Sequence, residues 1–202
     1  MPTLEHAAPL LAFWAVLGYL LGSIPFGMVL ARVMGLGNLR EIGSGNIGAT
    51  NVLRTGNKTA AALTLLLDGG KGAVAVLLAR AFGGEDTAQI AGLMAMLGHC
   101  YPIWLRFKGG KGVATFLGIV LALAWPVGVG CCLAWLAGAA TSRISSMGAL
   151  FAAAASSPLM VFTGHAEGLI LGIVLTLLVF WRHRANIARL RAGTEPKIGG
   201  KS

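Results

Sequence analysis

Long apolar segments alternate with short, glycine-rich polar loops between residues 8 and 181, and this leaves few folds open. In hydrocarbon every backbone N–H and C=O must find its partner within the protein, so an apolar segment entering a bilayer is a helix unless it closes into a barrel. A crossing needs about 20 apolar residues, fewer where the helix is half-buried in protein. The segments number seven: 8–34, 59–82, 87–105, 112–125, 126–141, 147–163 and 167–181. The expected fold is therefore all-α, an integral membrane protein with about seven transmembrane helices forming one domain over residues 1–202. Two places are irregular. The fourth and fifth segments form one apolar stretch divided at Trp125-Pro126, too long for one crossing and short for two. The second carries Asp68-Gly69-Gly70-Lys71-Gly72 in its middle, which predicts a break there, lining a cavity.

Composition agrees. The chain is 56% hydrophobic and 11% charged, where a soluble domain carries about 25% charged residues. Its formal net charge of +9 would suit nucleic acid, but basic loops poor in aromatics within an apolar chain are better explained by positive charge held on the cytoplasmic side. No nucleic-acid partner is expected. Residues 1–6 lack a positive leader and the run from Leu10 is too long for a signal-peptide core, so no cleavable signal peptide is expected. Cys100, Cys131 and Cys132 form no CxxC and read as small buried hydrophobes, so neither a disulfide nor a metal site is expected.

Charge sets the orientation. Fifteen of the sixteen basic residues fall on one side if the seven segments cross; the exception is Arg80. Glu5, Glu85, Asp86 and Glu167 fall on the other. The basic side is then cytoplasmic, with the N-terminus outside and the C-terminus inside.

Four basic-side segments carry chemistry. The first is Gly43-Ser44-Gly45-Asn46-Ile47-Gly48-Ala49-Thr50-Asn51, followed by Arg54. Glycines let backbone N–H groups converge on an anion, and hydroxyls, amides and a guanidinium complete a phosphate site. The same residues equally describe a capped helix start after a polar loop. The second is Lys108-Gly109-Gly110-Lys111-Gly112. It lacks the hydroxyl residue and spacing of a nucleotide-binding P-loop, which disfavours an ATPase. It precedes a helix N-terminus, where an anion is favoured; a flexible positive anchor would look the same. Asp68-Gly69-Gly70-Lys71-Gly72 is weaker, because Asp68 needs a partner at membrane depth and Lys71 or an arginine could be that partner. In the fourth, Arg182 to Leu190, His183, Asn186 and Arg189 share a helical face, as they would in a basic segment lying on anionic lipid. His6 and His165 have no specific role, and His99 reads as structural.

Taken in order, these stretches are more specific than any one alone. Gly-Ser-Gly-Asn-x-Gly-Ala-Thr-Asn-Val-x-Arg, Asp-x-x-Lys-Gly, Gly-His-x-x-Pro, Phe-Lys-Gly-Gly-Lys-Gly-Val-Ala-Thr, Ser-Ser-x-Gly-Ala and Arg-His-x-x-Asn-Ile-x-Arg-Leu resemble the acyl-phosphate-dependent glycerol-3-phosphate acyltransferases, the PlsY family. The resemblance runs from the first segment to Lys197. It departs at Gly69-Gly70, where the family more often carries bulkier apolar residues. It implies acyl transfer from acyl phosphate to the 1-hydroxyl of sn-glycerol 3-phosphate, giving lysophosphatidic acid and inorganic phosphate in bacterial phospholipid synthesis. It also implies a bacterial inner-membrane enzyme with its site facing the cytoplasm. No cofactor, metal, acyl-carrier protein or coenzyme A is implied, the partners being the two substrates and membrane lipid. A monomer this small can hold the whole site.

By motif matching, Ser44, Arg54, Lys111, His183 and Asn186 are placed at the reaction centre. Gly45, Asn46, Thr50, Asn51, Lys71, Lys108, Gly109, Gly110, Gly112, Ser145 and Ser146 are placed around the substrates and their phosphates, with Lys108, Gly109, Gly110 and Gly112 as a phosphate loop. No histidine has an aspartate after four intervening residues, so a His-x-x-x-x-Asp base is absent. A substrate phosphate is the expected proton acceptor and His183 the alternative. A membrane transporter for an organic phosphate is the rival from another class, although its site would sit nearer mid-membrane.

Overall fold

The structure is a computed structural model and describes residues 6–199; expectations resting on Glu5 and Lys201 lie outside these residues. The described residues are helical, with no strand among them. The helices are α1 (Ala8–Ser23), α2 (Phe26–Val33), α3 (Ala49–Leu53), α4 (Lys58–Cys100), α5 (Val113–Leu123), α6 (Trp125–Ser142), α7 (Ser145–Phe162), α8 (Leu169–Arg182) and α9 (Arg184–Arg191). By length and composition four stretches can cross a membrane: Ala8–Val33, Lys58–Leu105, Trp125–Ser142 and Ser145–Phe162. A fifth is Ala166–Arg182 with Arg184–Arg191, bent by 61°. Large apolar side chains such as Leu66, Phe82, Leu133, Phe162 and Leu177 point outward, as on a surface meant for lipid.

The α4 stretch is not one rod. Gly84 adopts φ 74°, ψ −165°, which only glycine takes readily. The chain reverses there: Thr87 Oγ1 donates to Ala79 O at 2.9 Å, and Asp68 Oδ1 lies 3.7 Å from His99 Nδ1. A straight helix would hold residues 68 and 99 roughly 46 Å apart. Residues 58–83 and 85–100 are thus two antiparallel arms, matching the second and third apolar segments.

The expected break at Asp68 to Gly72 is not found; helix runs through it. Gly69 and Gly72 serve packing instead. A Cβ on Gly118 of α5 would overlap the backbone of Gly69, and one on Gly72 would lie 2.8 Å from Thr115 O. Bare backbone lets the two helices approach, as small residues do between membrane helices. Gly18 and Gly22 of α1 do the same against Ala91 and Ala95.

The break falls in the first segment, at Ile24-Pro25 between α1 and α2. The Ile24 carbonyl there accepts from Lys71 Nζ at 2.7 Å, and Lys71 Nζ also donates to Asp68 Oδ1 at 2.8 Å. Both side chains are buried. Lys71 therefore satisfies a helix break and a buried carboxylate, and its expected place around the substrates is corrected to this internal one.

α5 has 11 residues, about 16 Å of helix, too short to cross. Its last carbonyls would be orphaned at depth. Arg80 donates to Ala122 O at 2.6 Å and Leu123 O at 3.1 Å while pairing with Glu85 at 2.8 Å. The exception to the charge rule is thus a helix cap with its own counter-charge. Gln89, bonded to Glu167 O, and Asp86, paired with His6, lie at this same end. The Lys108 loop, Arg143, Ser145 and α9 gather at the opposite end, where Ile198 N meets Arg143 O.

Replacing Lys71 with Met should leave Asp68 buried with only His99 beside it and no ammonium, which costs about 3–5 kcal/mol. Thermal unfolding in detergent should show that loss, with the Asp68→Asn/Lys71→Met double variant recovering much of it.

Candidate active site

The loop from Asn38 to Gly48 returns the chain from α2 to α3 without regular structure, with Gly43 and Gly45 at φ 52° and 66°. Asn51 organises it. Its Nδ2 donates to Leu39 O at 3.0 Å and Asn46 O at 2.7 Å, while its Oδ1 accepts from Ser44 N at 3.1 Å and Ser44 Oγ at 3.3 Å. Two donors and two acceptor positions are all in use. Asn51 is therefore corrected from a substrate contact to the residue that holds Ser44 in place. Arg54 lies across Gly43, where a Cβ would come within 2.6 Å of its Cδ and Nη1. Thr50 Oγ1 meets Ser145 Oγ at 3.0 Å, which joins this loop to the start of α7.

The Lys108–Gly112 segment works differently from the sequence expectation. Lys108 N donates to Leu105 O at 3.0 Å, Gly109 N to Cys100 O at 3.1 Å and Gly110 N to His99 O at 3.1 Å. The N–H groups of Gly109 and Gly110 thus point into the protein, which corrects their reading as an anion cradle. Their carbonyls are held too. Arg182 Nε donates to Gly110 O at 3.0 Å, Arg182 Nη2 to Gly109 O at 3.2 Å, and Arg40 Nη2 to Lys108 O. Arg40 also reaches Gly45 O at 3.2 Å, so it joins the two loops. The glycines are needed for clearance: a Cβ on Gly110 would overlap the His99 ring, and one on Gly109 the His99 carbonyl. Gly112 sits at φ 81° and starts α5. The exposed Lys108 stands at the rim.

Lys111 emerges half-buried beyond this braced segment. Burial pushes its pKa down to about 8; Glu195 opposes the shift, and Arg189, Arg54 and Arg182 reinforce it. Those neighbours come from the first loop and from both sides of the α8–α9 bend, so the separated motifs meet here. His183 sits at that bend, buried, with Nδ1 2.8 Å from Val179 O. A carbonyl only accepts, so Nδ1 carries the proton and Nε2 of the neutral ring has the lone pair. Burial drives its pKa down to about 4; the Val179 carbonyl opposes this and Lys111 adds to it.

One turn on, Asn186 donates through Nδ2 to Glu195 Oε1. Its Oδ1 is buried and has no hydrogen-bond partner among the described residues. Glu195 also accepts from Ser146 Oγ at 2.7 Å and Arg189 Nε at 2.6 Å. Burial alone would raise the Glu195 pKa, but hydrogen bonds from Asn186, Ser146 and Arg189 outweigh it and hold it below the usual carboxylate value. Ser44, Asn46, Thr50, Arg54, Lys111, Ser145, Ser146, His183 and Asn186 thus belong to connected loops at one end of the bundle, and Lys71 does not. Glu195, Arg40 and Arg182 carry parts that sequence reasoning left unassigned. The one available signal for Glu195 was a lone carboxylate in a basic tail. Among the described residues no cluster of three metal-ligating side chains occurs.

A family model described as glycerol-3-phosphate acyltransferase matches residues 12–193. The chain belongs to that family. A glycerol-3-phosphate acyltransferase of Roseobacter denitrificans is 76% identical over 98% of this chain and 99% of its own, and one from Ruegeria pomeroyi is 74% identical over the full length of both. Two crystal structures of PlsY, an integral membrane glycerol 3-phosphate acyltransferase, share the fold. Its glycerol 3-phosphate form has a TM-score of 0.88 and 40% identity, covering 94% of this chain and 96% of that one. Its lysophosphatidic acid form has a TM-score of 0.85 and 37% identity, covering 94% and 95%. The protein is therefore a multi-pass membrane acyltransferase, and the transporter reading falls away.

Asn51→Asp should turn a carboxylate oxygen against the carbonyls of Leu39 and Asn46, a loss of about 2 kcal/mol or more. Thermal unfolding and limited proteolysis of the 38–48 loop should both report it.

Proposed function

We propose that this enzyme transfers an acyl group from acyl phosphate to the 1-hydroxyl of sn-glycerol 3-phosphate. The products are 1-acyl-sn-glycerol 3-phosphate and inorganic phosphate, the first step of bacterial phospholipid synthesis, made at the cytoplasmic face of the inner membrane. The observation that carries this reading is the excess of positive charge near Lys111, where Arg54, Arg182 and Arg189 face a single anion, Glu195. Cations this close repel one another unless anions complete the set, and two phosphate-bearing substrates supply such anions. The relative whose structure has a glycerol 3-phosphate form supports one of them. Motif resemblance supports the acyl phosphate, and no thioester carrier, cofactor or metal is invoked.

The glycerol hydroxyl oxygen attacks the acyl carbonyl carbon, and the new C–O bond forms as the bond to the phosphate oxygen breaks. The hydroxyl proton leaves with the phosphate. A phosphate takes up its second proton at about pH 6, whereas His183 does so at about 4, so the departing phosphate is the better acceptor. In this reading His183 Nε2 and Asn186 Oδ1 accept hydrogen bonds from the acceptor's hydroxyls and orient them. Lys111 and Arg54 neutralise phosphate, and the Ser44 hydroxyl turns its proton from Asn51 Oδ1 to the developing oxyanion while the Ser44 N–H keeps the Asn51 contact. The Thr50–Ser145 pair keeps one hydroxyl proton to donate beside them, while the Ser146 proton stays on Glu195.

The deciding assay follows phosphate release from palmitoyl phosphate by the purified protein, with palmitoyl-CoA as the control donor. Release that depends on glycerol 3-phosphate, with no use of the thioester, is expected; turnover of the thioester alone would overturn the donor assignment. For glycerol 3-phosphate, kcat/KM should fall as pH rises through about 8, where Lys111 loses its proton. Lys111→Arg should move that limb beyond pH 10. His183→Gln should lower the rate by less than the ~10²–10⁴ of a general base, with no shift of the acid limb.

A further inference from the structure

We propose that Arg182 is a positioning residue whose forked grip on the Gly109 and Gly110 carbonyls sets where Lys111 meets phosphate. The claim rests on the acyltransferase reading and deepens it. Three consecutive peptide groups, those of Lys108, Gly109 and Gly110, are bonded on both sides. Their N–H groups go to Leu105, Cys100 and His99, and their carbonyls to Arg40 and Arg182. A segment so held cannot turn its amides toward a ligand. What it can do is present the next side chain from a fixed base. Two adjacent glycines would otherwise be the freest backbone in the site.

Arg182 suits this role in three ways. Its Nε and Nη2 reach two successive carbonyls, a fork that a single ammonium cannot reproduce. Its guanidinium lies 5.0 Å from the centre of the Tyr101 ring, which fixes its plane. Its backbone ends α8 directly before His183. One residue therefore joins the Lys111 arm to the α8–α9 bend, where His183 sits one turn before Asn186 of α9. A shift of α8 would carry both halves of the site together.

Two substitutions separate grip from charge. Arg182→Lys keeps the charge and loses the fork; Arg182→Gln loses both. Both should raise KM and the calorimetric Kd for glycerol 3-phosphate about 10-fold or more while kcat changes little, since misplacing a binding group by about 1 Å can cost up to 10²-fold. Only Arg182→Gln should move the alkaline limb near pH 8 upward, because it removes a cation that depresses Lys111. A wild-type KM and Kd in Arg182→Lys would overturn the proposal and leave charge as the only role. Loss of kcat in both variants with unchanged KM and Kd would also overturn it. The calorimetric Kd needs no turnover. Failure of the acyl-transfer reading would show as an inactive unmodified protein, whereas failure of the positioning claim would show as unaltered affinity in the variants.

Discussion

One buried carboxylate, Asp68, ties together the parts on which the site stands. Its side chain pairs with Lys71, and through that ammonium it reaches the Ile24 carbonyl at the break between α1 and α2. Its backbone carbonyl accepts from Thr115 of α5 at 2.9 Å. Its other side-chain neighbour is His99, on the returning arm of α4. The first crossing, both arms of α4 and α5 therefore meet around one charge. A charge at that depth is tolerated only if every partner stays in place, since a lone one is expensive in a low-dielectric interior. The cost of separating them gives the fold a fixed geometry directly beneath the polar loops.

Rigidity then passes outward to the chemistry. The His99 ring backs Gly110 and the His99 carbonyl holds the Gly110 amide. Arg40 and Arg182 close the same segment from its other side. Positioned groups matter most where a reaction needs little proton chemistry, and in the proposed reaction the acyl phosphate would bring its own leaving group and its own proton acceptor. Such an enzyme works through placement and charge. Glu195 fits that logic: by accepting from Ser146, Asn186 and Arg189 at once, it orders three side chains with a single anion and keeps Lys111 from losing more of its proton affinity.

The helical membrane architecture was legible because hydrocarbon permits so little else: periodicity was hardly needed once the apolar segments were counted. The reversal at Gly84 was legible as a gap between segments. The break was misplaced because Asp68, Gly69, Gly70, Lys71 and Gly72 have the composition of a loop. Their polar atoms are satisfied by Ile24 and by each other, a long-range pairing invisible along the chain, and Gly69 and Gly72 answer Gly118 and Thr115 on another helix. Lys111, His183, Asn186 and Arg54 were chosen as motif positions, and the fold brings them to the same end of the bundle. Arg40 and Arg182 were not assigned because each grips a backbone carbonyl, a partner that no residue type advertises.

The Lys108–Gly112 segment shows how one spelling can serve two kinds of physics. Glycines beside lysines suggest amides wrapped around a phosphate, and in a nucleotide-binding loop that is how they act. Here the amides of both central glycines face His99 and Cys100, and the missing Cβ atoms provide clearance. The two arrangements make different demands. An amide cradle tolerates a side chain that points to solvent, since the N–H groups stay in place. A clearance loop tolerates none, because any Cβ at Gly110 meets the His99 ring and must push the segment that carries Lys111. If Lys111 meets phosphate as proposed, anion affinity here depends on packing behind the loop as much as on charge in front of it, and Gly109 and Gly110 act on phosphate through the position of the lysine that follows them.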